Sequence, residues 1–435
     1  MTIMLSPYPK KVYVELTTRC NLQCPMCLKF SEGSCIEEGE LPLALFKKLA
    51  TASLSHTEFL VLNGLGEPLL HPDLEEMIAL ARAVMPPDGR IGFQSNGLLL
   101  NHGRAVRLIE AGLDTVCLSL DSLDADEDKE RNRGGHQRSS VTKAIAHLIQ
   151  ARAASQRRVR IGLEVVLRKE TLHQLSDVVA WAGEHQVDFI IVSHLFSYDG
   201  SLGEYSLFNP NSREATNLFA KWSAAAKGQG VNLADLPVAQ LKFSKSAADA
   251  LVVQLGDAMR QEAKQQDLTL HFPNLVAQSD RDMGEIEAHF HRARLTASKH
   301  GIDLFLPPLH APANGHRRCP FIDDDAVFID KDGKVMPCHF LWHTCPSQVN
   351  HGSIRVNKRV VGSIEDESLE AIWQKAEYTA FRIEVGHSEY APCWSCTSAP
   401  CADLVNANLL GMHDCYGSRV PCGHCMWSIG WLQCL

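Results

Sequence analysis

The amino-acid sequence predicts an α/β fold whose first half holds a parallel β-sheet. Two observations predict this fold: short apolar runs rich in β-branched residues, and segments of about 10 to 15 residues with helical periodicity between them. Buried strands that alternate with amphipathic helices form βαβ units, so the sequence predicts six such units. The predicted strands are Val12–Leu16, Glu58–Leu62, Ile91–Gln94, Thr115–Leu120, Ile161–Leu167 and Phe189–Val192, and the predicted helices are Leu41–Leu54, Leu74–Val84, Gly103–Ala111, Val141–Ala153 and Leu172–His185.

Length and composition limit the kind of protein this can be. A chain of 435 residues, with 45% hydrophobic and 21% charged residues, has room for two domains with ample cores. It contains no run of about 18 apolar residues, and Met1–Lys10 lacks the apolar core of a signal peptide. We therefore expect a cytoplasmic protein that has no membrane partner. The formal net charge of −9 argues against a nucleic-acid partner.

The most informative feature of the composition is the presence of 15 cysteines. Without a secretory signal, metal ligation explains them better than disulfide bonds do. Cys20, Cys24 and Cys27 follow the first predicted strand with C-x3-C-x2-C spacing. Thiolates suit iron–sulfur clusters, and a [4Fe–4S] cube takes four ligands, so three thiolates leave one iron open to a ligand that is not protein. The alternatives are a zinc loop or three unrelated buried thiols.

This spacing resembles the signature of the radical S-adenosylmethionine (SAM) superfamily, although Met26 stands where that family usually has an aromatic residue. The resemblance implies that the open iron chelates SAM and that the reduced cluster cleaves SAM to a 5′-deoxyadenosyl radical. Cys20, Cys24 and Cys27 are then the catalytic metal ligands. The resemblance also implies that the βαβ units form a partial (β/α)6 barrel over about residues 10–200.

The same resemblance implies a SAM pocket at the carboxyl ends of the strands, where the active sites of such barrels lie. The segment Gly64–Pro68 resembles the family's Gly-Gly-Glu-Pro motif, whose backbone and glutamate bind the SAM ammonium; an ordinary turn is the alternative. Arg131 is the predicted clamp on the SAM carboxylate, and Arg133 competes for that role. The predicted SAM-binding residues are Gly66, Glu67, Pro68, Ser95, Asn96, Ser119, Asp121, Arg131 and Glu164.

The sequence predicts three domains. They are a barrel at residues 1–200, a helical insertion with closing elements of the barrel at residues 201–310, and a cysteine-rich domain at residues 311–435. Three similar runs in the middle region end in Leu-Pro or Phe-Pro and indicate either repeated helix–strand units or chance similarity. These runs are Val231–Pro237, Asp267–Pro273 and Ile302–Pro307, and the last is the predicted closing strand.

Ten of the cysteines lie after residue 318. Cys319 and Cys338 flank a predicted hairpin turn at Asp330–Gly333, and their spacing resembles the opening of the SPASM extension of radical SAM enzymes. That resemblance implies two auxiliary [4Fe–4S] clusters, with Cys319 and Cys338 on one of them. The predicted ligands are Cys319, Cys338, Cys393, Cys396, Cys415, Cys422, Cys425 and Cys434, with Cys345 and Cys401 as spares, and Cys35 and Cys117 are not expected to be ligands.

Other metal assignments for this cysteine-rich tail stay open. The pairs Cys393-x2-Cys396 and Cys422-x2-Cys425 are close to the spacing of a zinc ribbon. A histidine could also replace one of the thiols, and the tail offers His339, His343, His413 and His424 among others.

The resemblance also bears on substrate and partners. It implies a peptide or protein substrate, as in the maturation of metalloenzymes or ribosomal peptides, and auxiliary clusters that carry electrons. Residues 422–434 resemble the tail of maturases associated with tungsten-type aldehyde oxidoreductases. The implied electron donor is a flavodoxin or ferredoxin. A small-molecule substrate and a non-catalytic iron–sulfur carrier are the alternatives, and Glu67, Asp121 and Arg131 weigh against a carrier.

Overall fold

The structure is a computed structural model, and the described part of the chain has several gaps. It describes residues 6–123, 138–155, 157–279, 282–313, 317–349, 352–387, 390–391, 393–396, 415–417 and 421–435. Arg131, Arg133, Cys401 and His413 lie outside the described residues.

Six parallel strands in sequence order form the centre of the sheet, as the sequence predicts. These strands are β1 Lys11–Val14, β2 Phe59–Val61, β3 Arg90–Ser95, β4 Thr115–Ser119, β5 Arg160–Leu167 and β6 Phe189–His194. The helices between them are α1 Leu43–Ser53, α2 Leu74–Val84, α3 His102–Ala111, α4 Arg138–Ala154 and α5 Leu175–Glu184. The predicted α/β barrel fold is therefore confirmed.

Local sequence explains where these elements begin, end and pack. The Asn101 side chain caps α3 by accepting a hydrogen bond from the backbone N–H of Arg104, and Gly112 ends the helix in the left-handed conformation. Strand β5 carries Gly162 because the ring of Phe189 on β6 fills the space that a side chain would need. A Cβ at residue 162 would lie 2.1 Å from that ring.

The sheet continues beyond the six central strands at both edges. Strand β7 Asp303–Phe305 pairs parallel with β6, so the predicted closing strand is present. On the other edge, β8 Ala326–Ile329 pairs parallel with β1, and β9 Lys334–Met336 returns antiparallel through the predicted turn at residues 330–333. The first hairpin of the cysteine-rich region is therefore continuous with the barrel sheet.

The middle region is helical and has its own hydrophobic core. Its helices are α6 Arg213–Gly228, α7 Leu236–Leu241, α8 Ala247–Gln265, α9 Phe272–Ala277 and α10 Met283–His300. Leu218, Phe219, Val252 and Met259 belong to a cluster of buried side chains separate from the main core. Of the three similar runs ending in proline, only the last contains a strand, so they are not three equivalent helix–strand units.

The rest of the tail adds short helices, a separate antiparallel strand pair and one further strand beside β9. They are α11 Pro320–Asp323, the antiparallel pair β10 Cys345–Val349 and β11 Gly352–Val356, the edge strand β12 Gly362–Ser363, and the helices α12 Leu369–Trp373 and α13 Ala376–Gly386. None of the helices in the described part of the chain is long and apolar enough to cross a membrane.

Residues 431–435, called here the closing segment, connect the two ends of the central sheet. The backbone N–H of Gln433 donates to Ser193 Oγ at the end of β6, and Ser193 Oγ donates to the Gln433 carbonyl. At the other end of the segment, Tyr13 Oη on β1 donates to the Leu435 carbonyl at 2.7 Å. The closing segment therefore spans the open side of the barrel from β6 to β1.

Candidate functional site

The first cysteine loop begins directly after β1 and is closed by backbone contacts. The Cys27 N–H donates to the Cys24 carbonyl at 3.0 Å, and the Thr18 hydroxyl donates to the Glu37 carbonyl. Lys29 Nζ donates to the Thr18 carbonyl at 2.8 Å and fastens the far side of the loop. These contacts hold Cys20, Cys24 and Cys27 on one turn, with thiols that are partly exposed.

The three thiols lie close enough to influence one another electrostatically. Burial raises the pKa of Cys24 to about 12, and Asp121, Cys27 and Cys20 raise it further. No three or more His, Cys, Asp and Glu side chains among the described residues are placed to hold a single metal ion.

Gly66 packs its backbone directly against the cysteine loop. A Cβ at this position would lie 2.2 Å from the Thr17 carbonyl oxygen and 2.6 Å from that of Arg19. The next residue, Glu67, donates its backbone N–H to the Arg19 carbonyl at 2.8 Å. Only glycine allows this approach, so the segment after β2 and the cysteine loop form one rigid unit.

The Glu67 carboxylate ties together the ends of β2 and β3. Its Oε1 accepts hydrogen bonds from Ser95 Oγ at 2.7 Å and from the Leu69 N–H at 3.0 Å, while its Oε2 accepts from the Asn96 N–H at 2.8 Å. Asn96 Nδ2 in turn donates to Asn21 Oδ1 in the cysteine loop at 2.7 Å. Burial raises the pKa of Glu67, although these hydrogen bonds oppose the shift. Three predicted pocket residues therefore meet here.

A second pair of carboxyl groups lies at the ends of β4 and β5. Asp121 Oδ1 accepts a hydrogen bond from the Val166 N–H at 3.0 Å, and Ser119 Oγ accepts one from Gln94 at 3.5 Å. Burial, with a smaller contribution from Asp121, raises the pKa of Glu164 to about 8. Glu164 Oε2 has no hydrogen-bond partner among the described residues. Burial therefore favours the neutral form of the Glu164 carboxyl group inside the barrel.

The sequence interpretation missed the role of Glu15 at the end of β1. This side chain is fully buried, and its Oε1 accepts hydrogen bonds from the Leu65 N–H at 3.0 Å and from His343 at 3.1 Å. A carboxylate inside the apolar run Val12–Leu16 was the available signal, because burial of a charge requires a partner. Glu15 connects the segment after β2 to the cysteine-rich tail.

Four tail cysteines line a single cavity. They are Cys319 at the start of α11, Cys338 after β9, and Cys422 and Cys425 in the turn Pro421–His424 and directly after it. Burial raises the pKa of each thiol, and Cys425, Cys338 and Cys319 all raise the pKa of Cys422. All four are predicted ligands; the resemblance implied one cluster for Cys319 and Cys338 and left the cluster of Cys422 and Cys425 open.

The polar lining of this cavity also suits an iron–sulfur cluster. The Tyr390 hydroxyl in its wall is buried and lies within hydrogen-bonding reach of the Cys422 sulfur. A hydroxyl donor beside sulfur suits a site whose thiolates carry negative charge.

The other cysteines have different surroundings. Cys393 and Cys396 lie in an adjacent turn, where the Cys393 sulfur is 2.8 Å from a Cβ built on Gly423, and Cys415 is exposed. Cys434 lies apart from these, in the closing segment, with its sulfur 3.5 Å from Tyr13 Oη and 3.9 Å from His339 Nδ1. Its predicted ligand role stays a prediction. The spare Cys345 is buried at the start of β10, Cys117 is buried within β4, and Cys35 is exposed.

The family is established by two matches. Residues 14–182 match the family model of the radical SAM superfamily, and residues 319–397 match that of an iron–sulfur cluster-binding domain called SPASM. The chain therefore belongs to the radical SAM superfamily and is an enzyme with a carboxyl-terminal SPASM domain. The radical SAM domain binds a [4Fe–4S] cluster and SAM, and the SPASM domain binds auxiliary iron–sulfur clusters.

Particular relatives differ in how much of the chain they match. The chain is 25% identical over 429 residues to the tungsten-containing aldehyde ferredoxin oxidoreductase cofactor-modifying protein of Pyrococcus furiosus, which covers 98% of this chain and 97% of that protein. It is 29% identical over 200 residues to the PqqA peptide cyclase of Xanthomonas euvesicatoria, covering 45% of this chain and 50% of that protein. The crystal structure of Streptococcus suis SuiB bound to precursor peptide SuiA is similar with a TM-score of 0.46 at 14% identity, covering 87% of this chain and 67% of that one.

Proposed function

We propose that this enzyme uses SAM-derived radical chemistry to modify the cofactor of a partner metalloenzyme. The observation that carries this proposal is the similarity to the Pyrococcus furiosus cofactor-modifying protein along almost the whole of both chains. A match over both the barrel and the tail includes every element that could contact a substrate. The radical SAM activity itself does not depend on this proposal.

Cys20, Cys24 and Cys27 are the proposed ligands of the cluster in the barrel. When bound there, that cluster supplies the electron that cleaves SAM. The protein's part is to hold SAM beside it: the backbone of Gly66 lies against the cysteine loop, and Glu67 fixes the neighbouring strand ends. Direct contact of SAM with the predicted pocket residues remains part of the proposal.

Glu164 and Asp121 complete the proposed pocket on the far side of the barrel. Since burial favours the neutral form of Glu164, this carboxyl group can donate a hydrogen bond to a carbonyl or ring nitrogen of the ligand. Asp121 is fixed by the Val166 N–H and can accept hydrogen bonds from hydroxyl groups. The two carboxyl groups therefore offer both donor and acceptor to a compact polar ligand.

In the tail, the cavity lined by Cys319, Cys338, Cys422 and Cys425 is the proposed site of one auxiliary cluster. Cys393, Cys396 and Cys415 are proposed for a second one. An external one-electron donor of the flavodoxin or ferredoxin class is the proposed source of electrons for SAM cleavage.

The closing segment fills one side of the barrel, and this favours a compact substrate. Trp431 of the closing segment stacks on Phe208 with ring centroids 4.5 Å apart and contacts Phe196 at 5.3 Å. Its indole Nε1 donates to the Leu195 carbonyl at 3.0 Å. The chain itself therefore occupies the edge through which an extended substrate could enter sideways. A peptide substrate is the second candidate, because 200 residues of the chain are also similar to a peptide cyclase.

The activity is tested by anaerobic reconstitution with iron and sulfide, followed by incubation with SAM and dithionite. The wild type should form 5′-deoxyadenosine, and the triple variant C20A/C24A/C27A should form none while it keeps the iron of the tail. Cys35→Ala is the matched control, because that thiol is exposed and lies outside the turn that holds the three cysteines. If the triple variant forms 5′-deoxyadenosine at the wild-type rate, these cysteines do not hold the cluster.

The substrate is tested separately in cells that express or lack this protein. The cofactor extracted from the partner oxidoreductase should differ in mass between the two strains. Identical masses would refute cofactor modification while leaving 5′-deoxyadenosine formation intact. A mass change in a short peptide encoded nearby would favour the peptide alternative.

A further inference from the structure

Two side chains in the wall of the four-thiol cavity have no role in ligation. They are Arg317, which precedes Cys319 by two residues, and Tyr390, which follows α13. We propose that Arg317 and Tyr390 raise the reduction potential of the auxiliary cluster held in this cavity, so that this cluster accepts an electron from the barrel. The proposal rests on the ligand set of Cys319, Cys338, Cys422 and Cys425 and does not depend on the identity of the substrate.

Arg317 is held against the cavity by backbone carbonyl groups. Its Nη1 donates to the Ala391 carbonyl at 3.1 Å and to the Gly423 carbonyl at 3.5 Å, and its Nη2 donates to the Tyr390 carbonyl. These contacts fix the guanidinium at the edge of the turn that carries Cys422.

The positive charge acts on the thiols of the cavity. A cube with four thiolate ligands is an anion, and reduction makes it more negative. A fixed cation beside it lowers the free energy of the reduced form more than that of the oxidised form, because the Coulomb attraction grows with the charge of the cluster. The effect is large where burial excludes water, as it does around Cys338, Cys422 and Cys425.

Tyr390 adds a hydrogen-bond donor to the same site. Its side chain is 4% exposed, and its hydroxyl lies within hydrogen-bonding reach of the Cys422 sulfur. A phenol is an O–H donor at neutral pH, so this contact places a donor beside a ligand of the cluster. Hydrogen bonds to cluster sulfur atoms raise the reduction potential, since they stabilise the electron-rich form.

A raised reduction potential of the auxiliary cluster favours electron flow from the barrel to this cluster. An auxiliary cluster held by Cys319, Cys338, Cys422 and Cys425 would supply the acceptor for one electron if a carbon-centred substrate radical is oxidised in the barrel, and the resulting cation would lose a proton to solvent. A cluster without the cation and the donor would have a lower potential and would be a poorer acceptor. Arg317 and Tyr390 would therefore act on electron transfer through the potential of the cluster in this cavity.

Arg318 provides a matched control in the same cavity wall. Its guanidinium is largely exposed and pairs with Asp323 at 3.0 Å, so its charge is both solvated and compensated. Removing the charge of Arg318 should leave the cluster potential unchanged. The comparison of R317Q with R318Q separates a local field from a general change in net charge.

The experiment is a redox titration of the reconstituted full chain, followed by electron paramagnetic resonance. The triple variant C20A/C24A/C27A serves as the background, so that the barrel cluster contributes no signal. The relevant signal is the one that Cys338→Ala removes; if Cys338→Ala removes none, the ligand set itself is wrong. R317Q and Y390F should each shift the midpoint of this signal to lower potential, R317K should shift it less than R317Q, and R318Q should not shift it.

Variants that keep the signal at the wild-type potential would overturn the proposal. Loss of the signal in R317Q alone would assign Arg317 a structural role. The proposal is then tested by Y390F, which retains the shape of the ring, and by R317K, which retains the positive charge. An unchanged midpoint in both would refute it. Failure of the proposed cofactor modification would not alter any of these potentials.

Discussion

The close packing of Gly66 on the cysteine loop predicts a severe effect of the smallest possible substitution. In Gly66→Ala, the added Cβ lies 2.2 Å from the Thr17 carbonyl oxygen and 2.6 Å from that of Arg19, and both contacts are with backbone atoms that cannot rotate away. Bringing the shorter contact to 3.4 Å requires a movement of about 1.2 Å between the two segments.

The magnitude follows from what this movement separates. Overpacking of a well-packed site costs about 1–3 kcal/mol of stability. A displacement of about 1 Å between reacting groups can cost about 100-fold in rate, because it misplaces the bound ligand relative to the reacting centre. We therefore expect Gly66→Ala to reduce the rate of 5′-deoxyadenosine formation about 100-fold with a smaller loss of thermal stability. The measurement is single-turnover SAM cleavage by reconstituted enzyme, with iron content determined on the same sample.

A control variant distinguishes local crowding from the general effect of replacing glycine. A Cβ at Gly203 meets no atom within 4 Å, so Gly203→Ala should cleave SAM at the wild-type rate. Wild-type rates in Gly66→Ala with full iron content would show that the two segments are not locked together and would refute the reasoning.

Three further predictions concern buried groups. Burial raises the pKa of Glu164 from 4.5 to about 8, so between these pH values the folded protein binds a proton that the unfolded chain has lost, and its stability falls as pH rises from about 4.5 to about 8. E164Q should flatten the plot of melting temperature against pH in this range, and an unchanged slope would contradict the pKa shift. His343→Ala removes a donor to the buried Glu15 carboxylate and should cost about 1–3 kcal/mol in chemical denaturation, with a smaller loss in an E15Q background. C35A and C117A should each retain the wild-type iron content of about twelve atoms, and a loss of about four from either would make that thiol a ligand.

The strands and helices of the barrel could be predicted from the sequence because burial leaves a local periodic signal. The run Ile161–Leu167, predicted as a strand, forms most of β5, and the predicted helix Leu74–Val84 has the same bounds in the structure. A strand buried on both faces is apolar throughout, and a helix with one buried face repeats every three to four residues. The cysteine motif was equally local, since three thiols that bind one cluster lie within one loop.

The role of Glu67 could be predicted only in part. Its place beside the cysteine loop followed from the motif and from the order of the strand ends. Its carboxylate, however, accepts hydrogen bonds from Ser95, Leu69 and Asn96. Which donors satisfy a buried carboxylate depends on how the loops fold over each other, and no spacing in the sequence records that.

Only the tertiary structure decided which distant residues meet. Cys422 and Cys425 join Cys319 and Cys338 across about a hundred residues, and Glu15 pairs with His343. Strand β8 pairs with β1 and so attaches the tail to the barrel sheet. The sequence by itself determined which residues are buried and which carry metal-binding groups, because periodicity and residue type are local properties. The partners of those residues are fixed by chain connectivity and packing, which bring together segments that share no pattern along the chain.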